Sequence, residues 1–182
     1  MRTPTQEGER LEERFAALER RVQSLEDELA IHRLIVSYGF AVDTGDAEAT
    51  AQLFAEDGLY DVDGTLIMNG REGIREMVRS ERHQSLLPDC AHTIGPAIVE
   101  LDGDRAVATA YSRIYHRGKR GTSLFRLSFN RFELERREGR WQILRRITRL
   151  LGSEESQEIL RRHLHAPFDD HFDTPEDSHA AR

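Results

Sequence analysis

The strongest constraint on the fold is a long helical pattern at the start of the chain, followed by a long run of strand patterns. No proline or glycine interrupts residues 11–38. Helices first and strands joined by short turns afterwards indicate an α+β domain. The sheet has to curl around the helices to bury its apolar face. We therefore expect a cone-shaped α+β barrel, with three helices packed in a strongly curved, mostly antiparallel sheet and an N-terminal helical extension.

The first helix carries a heptad seam, because apolar residues recur at steps of four and three. The seam comprises Leu11, Phe15, Leu18, Val22, Leu25 and Leu29. In a parallel coiled coil, Arg14 faces Glu19 of the partner and Arg21 faces Glu26. This pattern predicts a homo-oligomer. The alternative is an amphipathic helix that lies on its own domain.

The helix is expected to enter the globular domain from Ile31 onward, with Leu34, Ile35 and Tyr38 facing inward. We predict three parts: residues 1–28 as a coiled-coil-like helix, 29–152 as the α+β barrel domain, and 153–182 as a short helix and a partly disordered tail. Within these parts we expect helices at 47–54, 72–82 and 155–163, and strands at 59–62, 92–101, 106–116, 123–135 and 141–150.

Composition excludes several classes of function. The formal charge of −7 argues against nucleic acid or an anionic membrane as a partner. Arginines are frequent in residues 113–149, but interleaved glutamates indicate a solvated strand face. The single cysteine, Cys90, rules out an internal disulfide and suits a cytoplasmic protein. The N-terminus lacks the apolar core of a signal peptide, and no stretch is apolar enough to span a membrane.

Two short segments carry the best candidates for chemistry. Tyr38 and Asp43 lie near the end of the long helix, and Cys90 and His92 open a strand. If the fold brings Asp43 to His92, the carboxylate fixes one ring nitrogen and leaves the other as a proton acceptor. Alone, Asp43 reads as a helix-end aspartate and His92 as a core histidine. Together, a helix end and a strand start predict a general-base dyad.

These segments resemble a known family. Residues 31–62, the His92 segment and the closing residues 139–143 are similar to the SnoaL-like group of the nuclear transport factor two-like superfamily. The resemblance covers residues 26–151. It is strongest to the branch that holds scytalone dehydratase, bacterial bile acid dehydratase and hexachlorocyclohexane dehydrochlorinase.

The resemblance implies roles for particular residues. Asp43 and His92 stand where that branch pairs an aspartate with a basic histidine, in eliminations that need no metal or organic cofactor. Tyr38 matches a tyrosine of the bile acid enzyme, and Arg146 is the counterpart of an assisting arginine. The dehydrochlorinase has a lysine in place of Tyr38, which disfavours dehydrohalogenation. Related dehydratases are trimers, so a trimer is slightly favoured over a dimer.

Further residues are candidates for substrate binding. Tyr60 either supplies a second phenol to the pocket or packs as an ordinary core aromatic residue. One of Tyr111 and Tyr115 is expected to line the pocket. The resemblance to scytalone dehydratase, which uses a second histidine, makes His116 a candidate. Cys90 is expected to be a small buried hydrophobe. A metal site in the tail is disfavoured, although its potential ligands are His163, His165, Asp169 and His171.

The leading interpretation is a cofactor-independent lyase, dehydratase-like, acting on a small hydrophobic carbonyl compound such as a steroid, a polyketide or an aromatic. An isomerase or a polyketide cyclase shares the same first half-reaction. A non-catalytic small-molecule-binding or oligomerisation domain is the third hypothesis.

Overall fold

A computed structural model describes residues 4–168. The helices in this part of the chain are α1 (Pro4–Asp43), α2 (Ala47–Gln52), α3 (Gly70–Arg79), α4 (Glu81–Gln84) and α5 (Glu154–His165). The strands are β1 (Phe54–Val62), β2 (Leu66–Asn69), β3 (Cys90–Ile94), β4 (Ile98–Asp102), β5 (Arg105–Gly118), β6 (Gly121–Arg137) and β7 (Arg140–Leu150). None of the helices in residues 4–168 is both long and apolar enough to cross a membrane.

The seven strands form one curved, unclosed sheet in the order β2-β1-β7-β6-β5-β3, with β4 also paired to β5. All pairs are antiparallel except β1 with β7. The predicted α+β class, the curved sheet and the long N-terminal helix are therefore confirmed. The parallel pair β1–β7 brings the first strand beside the last, so residues far apart in sequence become neighbours.

The concave face of the sheet packs against α1, α2 and α3. Its main core joins Ile31, Ile35 and Val42 of α1 to Phe132 of β6 and Ile143 of β7, each no more than 1% exposed. Strand side chains alternate between faces. On β5, for example, Ala106 and Ala108 belong to this inner core. The even-numbered positions of β5 and β6 therefore face the helices along much of the sheet, whereas on β7 a bulge changes the numbering, so that Ile143 and Arg146 both face inward.

The opposite, outer face of the sheet is covered in part by α5. Ile159 is fully buried against Phe129 and Ile147. The helix is slightly longer than predicted, and His163 near its end is 5% exposed. The helix predicted at 155–163 is therefore present, and it packs on the sheet as far as His163. The remainder of the predicted tail, residues 169–182, lies outside the described residues.

Three details of the sheet differ from the sequence prediction. The single strand expected at 92–101 is two strands, β3 and β4. Gly95 breaks it with a φ of +102°, and Pro96 offers no N–H to the ladder. The short strand β2 was missed, and β1 begins five residues earlier than predicted, at Phe54. The edge strands are short, which limits their periodic signal.

The arginines of the sheet were expected on a solvated face, and for several of them this was wrong. Arg131, Arg146 and Arg149 are 1%, 2% and 5% exposed. Arg149 donates to Asp61 at 2.8 Å, which is itself 1% exposed. A buried guanidinium requires such partners, and the curved sheet supplies them from strands that are not adjacent in sequence.

Candidate active site

The end of α1 meets the start of β3 with no space between their backbones. A Cβ atom at Gly39 would lie 2.3 Å from the carbonyl oxygen of His92. Only glycine permits this approach. Asp43, one turn further along α1, therefore reaches the first residues of β3. The contact joins the helix end and the strand start that carry Asp43 and His92.

Asp43 holds His92 at two points. Oδ1 of Asp43 lies 2.5 Å from Nδ1 of His92, and Oδ2 accepts from the His92 backbone N–H at 2.7 Å. An ionised carboxylate only accepts hydrogen bonds, so Nδ1 is the donor of this contact, and in the neutral ring the lone pair then lies on Nε2. Nε2 makes no hydrogen bond with any described residue. The side chains are 14% and 20% exposed, so the pair is sheltered but reachable.

Cys90 is a third member of this cluster. Its thiol donates to Oδ1 of Asp43 at 3.6 Å. Burial, with the negative charge of Asp43 beside it, raises the pKa of Cys90 to about 11. The residue therefore remains a thiol at neutral pH, which does not favour nucleophilic chemistry.

The same three side chains form a possible metal site. The ligand atoms of Asp43, Cys90 and His92 all lie within 4.8 Å of one another. In this arrangement both oxygens of Asp43 already accept hydrogen bonds, from the ring, the backbone and the thiol. A cation would have to replace the ring and thiol contacts.

His83 supports the end of α1 and was not singled out from the sequence. Its Nε2 donates to the carbonyl oxygen of Val42 at 2.9 Å. The last carbonyls of a helix lack the usual helical partners, and the Val42 carbonyl oxygen accepts both from His83 and from the backbone N–H of Gly45 at 3.1 Å. Its ring centre lies 6.2 Å from that of His92. One histidine of this neighbourhood therefore positions the helix end, while the other pairs with Asp43.

Tyr38 lies between the dyad and an aromatic cluster. Its ring packs edge-on to His92 at 6.4 Å, to Phe54 at 6.4 Å and to Tyr60 at 6.1 Å. Burial, together with the neighbouring phenol of Tyr60, raises the pKa of Tyr38 well above its ordinary value. The hydroxyl of Tyr38 therefore remains protonated and able to donate.

Arg146 is enclosed by aromatic rings on the inner face of the sheet. Its guanidinium carbon lies 4.1 Å from the ring centre of Tyr38, 4.4 Å from Tyr60 and 5.1 Å from Phe132. The strand register explains this, because Arg146 stands opposite Tyr60 on β1 and Phe132 on β6. Cation–π contacts of this kind offset part of the cost of burying the charge.

The polar partners of Arg146 leave one donor unused. Nε and Nη2 both donate to Oδ1 of Asn130, at 3.0 and 2.9 Å, and Thr148 donates to the same oxygen. Asn130 is oriented by its own bond to Ser112. Nη1 is buried and has no hydrogen-bond partner among the described residues. No carboxylate of the described residues pairs with Arg146, so the site holds a cation with a free donor.

The structure brings together five of the predicted site residues: His92, Asp43, Tyr38, Tyr60 and Arg146. Sequence reasoning missed Gly39, His83 and the Ser112–Asn130–Thr148 support of Arg146. An isolated glycine inside a helical pattern was the available signal for Gly39. Ser112, Asn130 and Thr148 lie on three different strands. No sequence pattern indicates that they meet, because their contact depends on the pairing of β5, β6 and β7.

Tyr111 is not brought to this cluster. It lies on the outer face of the sheet, with its ring centre 4.9 Å from that of Phe129. There it lines a cavity of about 220 Å³ together with Leu160 and His163 of α5.

Tyr115 and His116 lie nearer the dyad. Tyr115 lines an open groove of about 190 Å³ beside Cys90. His116 stands opposite Cys90 in the β3–β5 ladder, and its ring centre is 6.2 Å from that of Phe125.

The histidines of the predicted tail are separated. His163 shares a hydrogen bond of 3.0 Å with Thr109. Burial lowers the pKa of His163, which favours the neutral ring. His165 is exposed at the end of α5. Asp169 and His171 lie outside the described residues.

Comparison with known proteins assigns the family. The model of the SnoaL-like domain matches residues 23–147. This chain belongs to the SnoaL-like family. The match includes the helix end, β3 and β7, which together carry Asp43, His92 and Arg146. A comparison with curated proteins finds no match.

Solved structures share the fold of this SnoaL-like chain. An NTF2-like protein with a cystatin-like fold from Novosphingobium aromaticivorans is 37% identical, with a TM-score of 0.76 over 79% of this chain and 94% of that chain. A candidate aromatic ring hydroxylase from the same organism is 31% identical, with a TM-score of 0.58 over 71% and 92% of the two chains. A candidate scytalone dehydratase from that organism is 19% identical, with a TM-score of 0.62 over 70% and 85%, and shows likeness of fold alone.

Proposed function

We propose that this SnoaL-like protein is a cofactor-independent lyase that removes water from a small hydrophobic carbonyl compound. The observation that carries the proposal is the two-point hold of Asp43 on His92, with the ring contact at 2.5 Å. It orients the imidazole and leaves Nε2 as the proton acceptor. General-base work of this kind contributes about 10²–10⁴-fold in rate.

In the proposed reaction, Nε2 of His92 takes a proton from the carbon beside the carbonyl. The electron pair of that C–H bond moves toward the carbonyl oxygen and forms an enolate, and Asp43 stabilises the imidazolium. The enolate then collapses and expels the β-hydroxyl, which takes the proton from His92 and leaves as water. The resting state of the dyad is restored without an external oxidant or reductant.

The enolate oxygen needs donors, and two are available, one from α1 and one from the inner face of the sheet. The Tyr38 hydroxyl is held protonated by burial, and Nη1 of Arg146 is buried without a partner among the described residues. Donors that are already in place and shielded from water stabilise a developing negative charge strongly. The rings of Tyr38, Tyr60 and Phe132 pack around Arg146, and these apolar surroundings support a hydrophobic substrate.

The test follows turnover of β-hydroxy ketones with aromatic, polyketide-like and steroid skeletons in D₂O with EDTA, by mass spectrometry. We expect the loss of one water from the accepted substrate. His92→Ala is expected to abolish turnover and Asp43→Asn to reduce it about 10²–10⁴-fold. His165→Ala changes an exposed histidine at the end of α5 and is the matched control.

Three results would contradict the proposal: full activity of folded His92→Ala, activity that disappears with EDTA and returns with a metal ion, or tight ketone binding without deuterium exchange or turnover. A product that has lost no water but has gained solvent deuterium would retain the dyad and replace dehydration by isomerisation or cyclisation.

A further inference from the structure

The seam of α1, defined as Leu11, Phe15, Leu18, Val22, Leu25 and Leu29, is not covered by the described part of its own chain. Each of these side chains is at least 50% exposed. The seam residues of α1 therefore do not pack on their own domain, which was the alternative to a coiled coil. Six large apolar side chains in heptad register are costly to leave in water.

The domain and the seam occupy opposite faces of the same helix. Where α1 enters the domain, Ile31, Ile35 and Tyr38 are buried. Val36, one heptad after Leu29 in the seam, is 46% exposed and points away from that core. A second helix can therefore lie along the seam as far as Val36 without displacing any contact of α1 with its own sheet.

The charges beside the seam select a parallel partner. In a parallel coiled coil, each g residue faces the e residue five positions later on the other helix. Three such pairs are of opposite charge and consist of exposed residues: Arg14 with Glu19, Arg21 with Glu26 and Glu28 with Arg33. The first pair along the helix, Glu7 with Glu12, consists of two like charges. An antiparallel coil centred on the seam would instead set e against e and g against g. Glu19 would then face Glu19, Glu12 would face Glu26 and Arg21 would face Arg21, which are like charges, and Arg14 with Glu28 would be the pair of opposite charge.

We propose that α1 forms a parallel, two-stranded coiled coil with a second copy of this chain. Leucine at d with the β-branched Val22 and Val36 at a favours two strands over three. This replaces the trimer that the family resemblance favoured. The two domains then lie at the same end of the coil, on its outer sides. The proposal does not depend on the proposed function.

The first test reverses the charges at g and at e in separate full-length proteins, studied by sedimentation equilibrium. The double variant R14E/R21E and the double variant E19R/E26R are each expected to raise the dimer dissociation constant at least about tenfold. An equimolar mixture of the two variants is expected to recover dimers of wild-type affinity, because every reversed residue then faces its opposite. R10E/R20E makes the same change of charge on the other side of the helix and is expected to have no effect.

The second test fixes the direction of the helices. Leu11→Cys in a Cys90→Ser background leaves one thiol per chain, in the first part of the seam. A parallel coil is expected to give a rapid interchain disulfide under mild oxidation, whereas an antiparallel coil centred on the seam keeps the thiols roughly 30 Å apart. Circular dichroism checks that each variant is folded.

The proposal is overturned by a monomeric wild-type protein, by a dimer that R14E/R21E leaves unchanged, by a seam-dependent trimer, or by failure of the cysteine variant to cross-link while it remains dimeric.

Discussion

At the scale of single residues, a missing side chain brings the site together. Gly39 lets the backbone of α1 touch the backbone of β3 at His92. Because of this approach, Asp43 reaches both the ring and the backbone N–H of His92. The positions of Asp43 and His92 therefore depend on Gly39, which has no side chain.

Gly39→Ala is expected to displace His92 from Asp43, because the new methyl group would overlap the His92 carbonyl oxygen. We expect a loss of about 1–3 kcal/mol of stability from overpacking. Turnover should fall about 100-fold, because a shift of about 1 Å at a reacting group has that effect. Chemical denaturation and substrate turnover measure the two quantities.

Gly8→Ala is the matched control, since a Cβ atom there would meet nothing within 4 Å. It lies in the same helix and is expected to leave both turnover and domain stability unchanged. Equal activity of Gly39→Ala and wild type would show that the contact does not position the dyad.

At the scale of elements, Asp27 joins α1 to the sheet at the point where the helix enters the domain. Its carboxylate accepts two bonds from Arg136 of β6, at 2.6 and 2.7 Å, and one from Trp141 of β7 at 3.1 Å. The Arg136 guanidinium also lies 4.7 Å from the Trp141 ring centre. One charged side chain thus connects the helix to two strands, although Glu26 and Glu28 on either side of it are exposed.

Asp27→Asn is expected to destabilise the protein by about 1–3 kcal/mol at pH 7, because Arg136 loses a buried charged acceptor. Burial opposes ionisation of Asp27, but bonds from Arg136 and Trp141 outweigh it and hold the pKa of Asp27 below its ordinary value. The contribution of Asp27 is therefore present above about pH 4 and is lost as the pH falls through the lowered pKa.

Urea denaturation of wild type and variant between pH 7 and pH 3 measures this difference, which should shrink toward the acid end. Asp104→Asn is the control, because Asp104 also pairs with Arg136 but its side chain is 75% exposed. A difference between wild type and Asp27→Asn that is independent of pH would contradict the role of this charge.

At the scale of the whole molecule, the two faces of the sheet have separate tasks. The inner face carries Tyr60 and Arg146 beside the dyad. The outer face carries Phe129 and Ile147, which α5 covers through Ile159. Stability gained on the outer face therefore does not involve the residues proposed for catalysis.

Ile159→Ala is expected to lower stability by about 2–5 kcal/mol, as deletion of a fully buried isoleucine side chain does. Turnover at a temperature where the variant remains folded should equal that of wild type. Leu164→Ala, on the same helix, removes a side chain that is 70% exposed and should change stability little. A specific loss of turnover in folded Ile159→Ala would show that the two faces are coupled.

Much of this organisation follows from local patterns. The heptad steps and the uninterrupted residues 11–38 predicted a long helix, and alternation and turns predicted the central strands. The order of the chain placed Asp43 at a helix end and His92 at a strand start. Such features are determined within a few residues by backbone geometry, so one sequence suffices to find them.

The tertiary structure decided which of these residues meet. Tyr60 and Tyr111 are both strand tyrosines, yet one packs on Arg146 and the other lies on the outer face. A shift of one residue in register exchanges the two faces of a strand, and a single sequence does not determine register. The enclosure of Arg146 by side chains from α1, β1 and β6 depends on the curvature of the sheet and on its parallel β1–β7 pair. The sequence by itself therefore determined the elements and the chemical groups, whereas long-range packing determined the site they form.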